Sequence, residues 1–210
     1  DAWPMGEREL VHRLELKNAS PIRRLVSLGV LEEVTLTDVV TRTDDATPMQ
    51  AEAGPIPTPT DEQQAVIEGV PLEGFSTHLL FGVTGSGKPE VYLRLLERVL
   101  QSGKSGIVLV PEIALTPQLS SRFIARFAPV LGERGVAVLH SGQSASQRHR
   151  AWDAVSRGLA RIVVGPRSAL FAPLQDVGLI VVDEEHAGDY KQDQAPRYHG
   201  RDAAVKRAQI

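Results

Sequence analysis

The spacing of apolar residues changes character twice along the chain and divides it into three stretches. In the first, Leu10, Val11 and Leu14 recur at helical spacing after Gly6, and Ile22, Leu25, Val26 and Leu28 repeat the pattern up to Gly29. Between them Ser20 and Pro21 supply an N-cap and a proline at the first helical position, so a second helix is expected to start there. Val30 to Val40 then alternates as a pair of strands would. The second stretch, residues 42–59, carries four prolines and a glycine and almost no large apolar residues, the composition of an extended connector. In the third, apolar runs at His78–Val83, Gly106–Val110, Val136–Leu139, Arg161–Val164 and Leu179–Val182 predict strands. Helical patterns at Pro89–Leu100, Leu115–Phe127 and Ser144–Leu159 separate them.

Two units joined by a linker follow. Residues 1–41 read as helix, turn, helix, hairpin, the order of a small winged-helix domain, whose second helix commonly enters the major groove. Arg23 and Arg24 lie early in that helix, where base edges or phosphates would be met. Such units also dock proteins, and the local charge leaves that reading open: residues 1–50 hold six Lys/Arg against nine Asp/Glu, with Glu32 and Glu33 near the wing. In residues 60–210, continuous apolar strands spaced by helices predict an α/β fold with a parallel sheet covered on both faces.

Composition narrows the chemistry. There is no cysteine, so neither a disulfide framework nor a thiolate metal site is available, and the six histidines show no metal-ligand spacing. No apolar run approaches the roughly 18 residues that a membrane span needs, and no signal peptide opens the chain, which makes a cytoplasmic setting the default. A net charge of −3 excludes a uniformly basic nucleic-acid binder, so any DNA contact must use local patches.

The chemistry concentrates in two places. Gly82-Val83-Thr84-Gly85-Ser86-Gly87-Lys88 fits the phosphate-binding pattern G-x-x-x-x-G-K, between an expected strand and an expected helix. Gly82, Gly85 and Gly87 would let the N–H groups of the loop, Thr84 and Ser86 among them, wrap a phosphate at a helix N-terminus, with Lys88 on the β- and γ-phosphates. After the apolar run Leu179–Val182, Asp183 and Glu184 emerge where ligands bind in open α/β sheets. Asp183 would hold Mg²⁺ and Glu184 would orient or deprotonate the attacking water. Gln63, just before the first helix of this unit, is a candidate to read an adenine edge, with a solvated helix residue as the alternative.

Four segments together resemble the superfamily 2 DNA helicases, and among them the bacterial replication-restart helicases of the PriA family. They are Gly82–Lys88; Leu109 through Pro111-Glu112-Ile113-Ala114-Leu115-Thr116 to Gln118; Leu139-His140-Ser141-Gly142 with Arg148, Trp152 and Val164–Phe171; and Asp183-Glu184-Glu185-His186 through Tyr190-Lys191-Gln192 to Pro196-Arg197-Tyr198-His199-Gly200-Arg201-Asp202. The resemblance implies a RecA-like helicase lobe over residues 60–210, preceded by a winged-helix domain. It also implies an internal segment of a longer protein, without the N-terminal domain that binds DNA 3′ ends, the second lobe with its arginine fingers, or a zinc-binding insertion. The implied cofactors are ATP and Mg²⁺, with no zinc in this segment. Implied partners are forked and single-stranded DNA, single-stranded-DNA-binding protein and primosome or helicase-loading proteins, at the bacterial nucleoid and not at a membrane. Thr116, Arg167 and Ser168 would then face single-stranded DNA. The stretch from Tyr190 to His199 resembles the aromatic-rich loop that couples DNA contact to hydrolysis. Tyr190 and Tyr198 would offer stacking faces there, and Lys191, Arg197 and Arg201 phosphate partners.

One position departs from the pattern. The residue after the P-loop lysine should be Ser or Thr, whose hydroxyl ligates Mg²⁺, and here it is Pro89. Proline lacks both that hydroxyl and an N–H, yet is welcome in the first turn of a helix. Pro166, before Arg167, and Ala187-Gly188, after the acidic box, also differ from expectation. Two readings follow: a pseudohelicase that binds forked DNA and recruits the reloading machinery without hydrolysing ATP, which Pro89 favours, and an active ATP-dependent 3′→5′ helicase, which the Asp183-Glu184 pair favours. A general P-loop NTPase without a DNA role is the third and weakest.

Overall fold

The computed structural model describes residues 20–27, 56–83 and 85–210. The chain divides into two compact units, residues 1–49 and 50–210. In the first, the described residues form helix α1 (Ser20–Ser27). Arg23 and Arg24 are exposed on it and Val26 is half-buried. The rest of the expected winged-helix domain, with its wing, and the linker up to residue 55 lie outside the described residues.

The second unit begins with α2 (Asp61–Gly69), started by a reciprocal capping box in which Thr60 Oγ1 accepts from Gln63 N and Gln63 Oε1 accepts from Thr60 N. Then follow α3 (Lys88–Gln101), β1 (Ser105–Leu109), α4 (Pro117–Leu131), β2 (Val136–Val138), α5 (Ala145–Ser156), β3 (Ile162–Gly165) and β4 (Val177–Val182). A short antiparallel pair, β5 (Lys191–Gln192) and β6 (Tyr198–His199), leads into α6 (Gly200–Ala208). β1 to β4 make one parallel sheet in the order β2-β3-β1-β4, with Ile107 paired to Val163 on one side and Ile180 on the other.

The two-residue period of the strands sorts the core into faces. Ile107, Leu109 and Val163 pack with Val155 of α5, Ala204 of α6 and the short turn carrying Ala169 and Leu170. Val108, Val110, Ile162 and Val164 pack instead with Tyr92, Leu93 and Leu96 of α3 and Phe123 and Phe127 of α4. Because every strand runs the same way, the segments at Val110, Leu139, Pro166 and Asp183 all leave the sheet at one edge, where an open α/β sheet binds its ligands.

One expected strand does not form. His78–Val83 has the composition of a strand, but β4 pairs only with β1 and no described strand lies along its other edge. Without a partner to bond its backbone the segment stays irregular, and Leu79 and Phe81 are exposed, Phe81 to 92%. The phosphate loop therefore follows an unpaired, irregular segment. Arginines of α3 hold the elements before it: Arg94 donates to the Pro57 carbonyl at 2.9 Å, and Arg98 donates to the carbonyls of Ile67 and Val70, tying α2 to α3.

Glu90, in the first turn of α3 and only 4% exposed, is the charged group buried deepest beneath the phosphate loop. Its carboxylate meets Arg94 at 3.0 Å, Arg126 at 3.1 Å and Arg122 at 3.7 Å, and Arg126 reaches Glu97 as well. Removing the carboxylate leaves Arg126 buried against fewer counter-charges, so Glu90→Ala is expected to cost about 3–5 kcal/mol of stability. Urea denaturation followed by circular dichroism measures it, and a loss below about 1 kcal/mol, the level of a surface pair, would contradict the buried-cluster account.

Candidate nucleotide and nucleic-acid site

The phosphate loop is shaped by its glycines. Gly87 has φ 79°, and a Cβ there would lie 2.5 Å from Gln63 Nε2; a Cβ on Gly82 would lie 2.7 Å from Ser86 Oγ. Side chains at either position would fill the cradle that a phosphate needs. Gly85 and Ser86 are exposed at the turn and Lys88 is half-buried at the start of α3; Thr84 lies outside the described residues. Lys88 Nζ donates to the carbonyls of Gly82 at 2.8 Å and Val83 at 3.2 Å, so its ammonium is held inside the loop. Gln63 is committed at both ends, its Oε1 in the capping box and its Nε2 donating to the Ser86 carbonyl at 2.9 Å. Its observed task is to brace the loop, and any reading of an adenine would use the amide's remaining donor and lone pair. Pro89 occupies the first turn of α3 without disturbing it, since Glu90 N still bonds to the Gly87 carbonyl at 2.9 Å.

The acidic box stands across from this loop. Asp183 N donates to the Leu109 carbonyl at 2.9 Å, which fixes the end of β4 to the end of β1. Asp183 Oδ1 accepts from Glu184 N at 3.1 Å, and Oδ2 lies 3.5 Å from the Tyr92 hydroxyl. Burial, and then the charge of neighbouring Glu184, hold the Asp183 carboxyl above the usual carboxylate range, partly offset by the hydrogen bonds from Glu184 N and the Tyr92 hydroxyl and by Lys88. Glu184 sits in the left-handed region at φ 48°, a backbone state that a glutamate adopts only under local constraint, and its carboxylate lies 3.5 Å from His186 Nε2. Among the described residues there is no cluster of three or more carboxylate or histidine groups able to cage a metal. The glycine loop and Lys88 fit a triphosphate, and Asp183 is the carboxylate that would hold an accompanying Mg²⁺, to which Pro89 would offer no hydroxyl.

Residues 60–206 match the model of the DEAD/DEAH box helicases. The chain belongs to that family. Membership implies nucleotide binding with magnesium. Among curated proteins, the replication restart protein PriA of Bacillus subtilis is 42% identical over 96% of this chain and 24% of its own length. The PriA of Chlamydia pneumoniae is 44% identical over the whole chain and 27% of its own length, and that of Haemophilus influenzae 49% identical over 65% and 18%. The chain thus spans about a quarter of the length of the first two relatives. No described helix is long and apolar enough to cross a membrane.

A cavity of about 580 Å³ opens in this helicase lobe, bordered by Glu112, Ile113, Arg167, Ser168, Gln192 and Tyr198. A second, of about 370 Å³, continues past Glu112 to His140, Arg148 and Trp152. Of the residues expected to face DNA, Arg167, Ser168 and Tyr198 border the first cavity, and the roles differ from one to the next. Ser168, Lys191 and Arg197 are exposed, Lys191 in a surface pair with Asp193 at 3.0 Å. Thr116 caps α4 by accepting from Leu119 N, which leaves its O–H as a donor. Arg167 donates to the carbonyls of Asp189 and Lys191 and so clasps the aromatic loop. Tyr198 is half-buried, edge-on to the exposed ring of Phe171 at 5.2 Å.

Tyr190 corrects the sequence reading. It is 1% exposed, packed in the core, and its hydroxyl donates to the Asp183 carbonyl at 2.6 Å while lying 3.0 Å from that of Leu109. Its ring has no free face for a base. Burial, then the charge of Asp183, push its phenol well above the ordinary tyrosine range. Tyr92, the buried hydroxyl beside Asp183, had gone unremarked, and Ile113, 88% exposed at the cavity mouth, and Phe171 had been read only as parts of matching segments. The spacing of Tyr92 from Lys88 and Pro89, four and three residues, was the available signal, since all three share a helix face.

Two expectations follow. Tyr190→Phe removes a buried donor from the Asp183 carbonyl and should cost about 1–3 kcal/mol, read by urea denaturation. Because the folded state raises the Asp183 carboxyl, its ionisation disfavours the fold as pH rises through the folded value. Asp183→Asn should therefore raise the melting temperature at pH 7.5, with the difference closing at pH values below the ordinary carboxylate range, where both forms are neutral. A lower melting temperature at pH 7.5 would contradict this.

Proposed function

We propose that this chain carries the first helicase lobe and the adjoining DNA-binding unit of a replication-restart protein that recognises forked DNA and promotes reloading of the replisome, with ATP hydrolysis impaired. Similarity to replication restart proteins across nearly the whole chain supports the restart role. The lobe would contact single-stranded DNA through Thr116, Arg167, Ser168, Lys191, Arg197 and Tyr198, and a duplex arm through Arg23 and Arg24. Single-stranded-DNA-binding protein and helicase-loading proteins are the partners that such a role requires.

The observation that carries the impairment is Pro89, at the end of a loop whose other parts are in place. Loss of one donor to a charged group costs roughly 1.5–3 kcal/mol, a tenfold or greater loss of nucleotide affinity. Loss of the hydroxyl then leaves Mg²⁺ less well positioned for phosphoryl transfer, where positioning and charge neutralisation supply most of the rate. In this reading Lys88, Asp183 and Glu184 keep their places but turn over slowly. A second reading, an active 3′→5′ helicase, is favoured by Glu184, whose left-handed backbone is a strain that functional sites commonly retain.

The DNA-stimulated ATPase of the full-length protein separates the two. The scaffold reading expects turnover far below the roughly 1–10³ s⁻¹ of ordinary enzymes, and a rate within that range would overturn it. Pro89→Thr should raise affinity for Mg²⁺-bound nucleotide about tenfold by calorimetry. An unchanged affinity would mean that the defect lies elsewhere in the loop.

A further inference from the structure

Tyr92 lies in a part of the core that is otherwise apolar. It is 3% exposed, its ring is stacked on Phe123 with centroids 6.1 Å apart and an interplanar angle of 9°, and Leu93, Val108, Phe127 and Val164 belong to the same cluster. A buried phenol needs a partner for its O–H, and phenylalanine would fill this place without that need. The hydrogen bond the hydroxyl makes is to Asp183 Oδ2, at 3.5 Å. The other carboxylate oxygen of Asp183 is held by Glu184 N at 3.1 Å. Both oxygens are thus oriented, one by backbone and one by a side chain whose stacked ring leaves it little freedom. Tyr92 is also the only residue of α3 with a side-chain hydroxyl, three residues beyond the proline that lacks one.

We propose that Tyr92 is a positioning residue: its hydroxyl fixes the rotation of the Asp183 carboxylate and thereby sets how well that carboxylate receives a magnesium ion brought by a nucleotide. The assignment rests on the reading above, in which Asp183 is the protein's magnesium ligand. The contact is at the long end of a hydrogen bond, so the expected effect is the lower bound for partners that orient a metal ligand, about tenfold.

The test measures ADP affinity of the full-length protein by calorimetry, with Mg²⁺ and with EDTA, in the natural sequence and in a Pro89→Thr background. Tyr92→Phe keeps the ring and its stacking. It should weaken ADP binding about tenfold in Mg²⁺ and leave binding in EDTA unchanged. Asp183→Asn should abolish the difference between the two conditions. If Asp183→Asn does so while Tyr92→Phe matches the parent, the Tyr92 assignment fails and the magnesium ligand stands. If Asp183→Asn leaves the magnesium effect intact, or neither background shows one, the underlying reading fails and the assignment with it. Equal weakening of ADP binding with and without Mg²⁺ in Tyr92→Phe, accompanied by a lower melting temperature, would make the hydroxyl merely structural and overturn the proposal.

Discussion

The buried hydroxyl of Tyr190 joins three parts of the lobe. Its proton goes to the carbonyl of Asp183, and its oxygen lies against that of Leu109, so it sits where β1 and the edge strand β4 end side by side. The ring belongs to the loop between the acidic box and β6, and Arg167 grips the same loop from the other side through the carbonyls of Asp189 and Lys191. Gly200, where the loop becomes α6, is hemmed in by both: a Cβ there would come within 3.1 Å of the Tyr190 ring and 3.2 Å of Arg167 Cβ. Arg197 and Tyr198 thus belong to a segment anchored, through one phenol, at the backbone of Asp183.

Much of this was legible in the sequence where local pattern and environment agree. The four strands of the sheet read as apolar runs because a parallel sheet with helices on both faces buries both sets of side chains. The phosphate loop and acidic box stand out in the sequence because their glycines and their place at the start of a helix and the end of a strand answer to backbone geometry. His78–Val83 misled because composition makes a candidate strand but only a partner makes a strand. Tyr190 misled for a related reason: a tyrosine among prolines, aspartates and glycines suggests an exposed ring, and nothing local reveals that its hydroxyl finds two carbonyls on distant strands. Much of the hydrogen-bonding capacity of Gln63 and Arg167 holds neighbouring loops in place, which a linear motif does not express.

Pro89 shows how far fold and chemistry can be separated at one residue. In the first turn of α3 its ring suits the required φ, and the missing N–H disrupts no intrahelical bond. Glu90 behind it, Gly87 before it and Lys88 beside it keep their contacts. What is subtracted is directed outward, toward a phosphate and a metal. The helix therefore gives no structural sign of the change, and selection on folding alone would not remove it.

The arginine cluster around Glu90 bears on conditions in the cell. Mobile ions act over a Debye length of about 10 Å at 0.1 M ionic strength, and they screen charges that water reaches. Arg126 and Glu90 are almost wholly enclosed, with side-chain exposures of 7% and 5%, whereas Lys191, at 67%, is open to the medium. A rise in salt would therefore weaken the surface pair of Lys191 with Asp193 long before it reached Arg126 and, at the start of α3, Glu90.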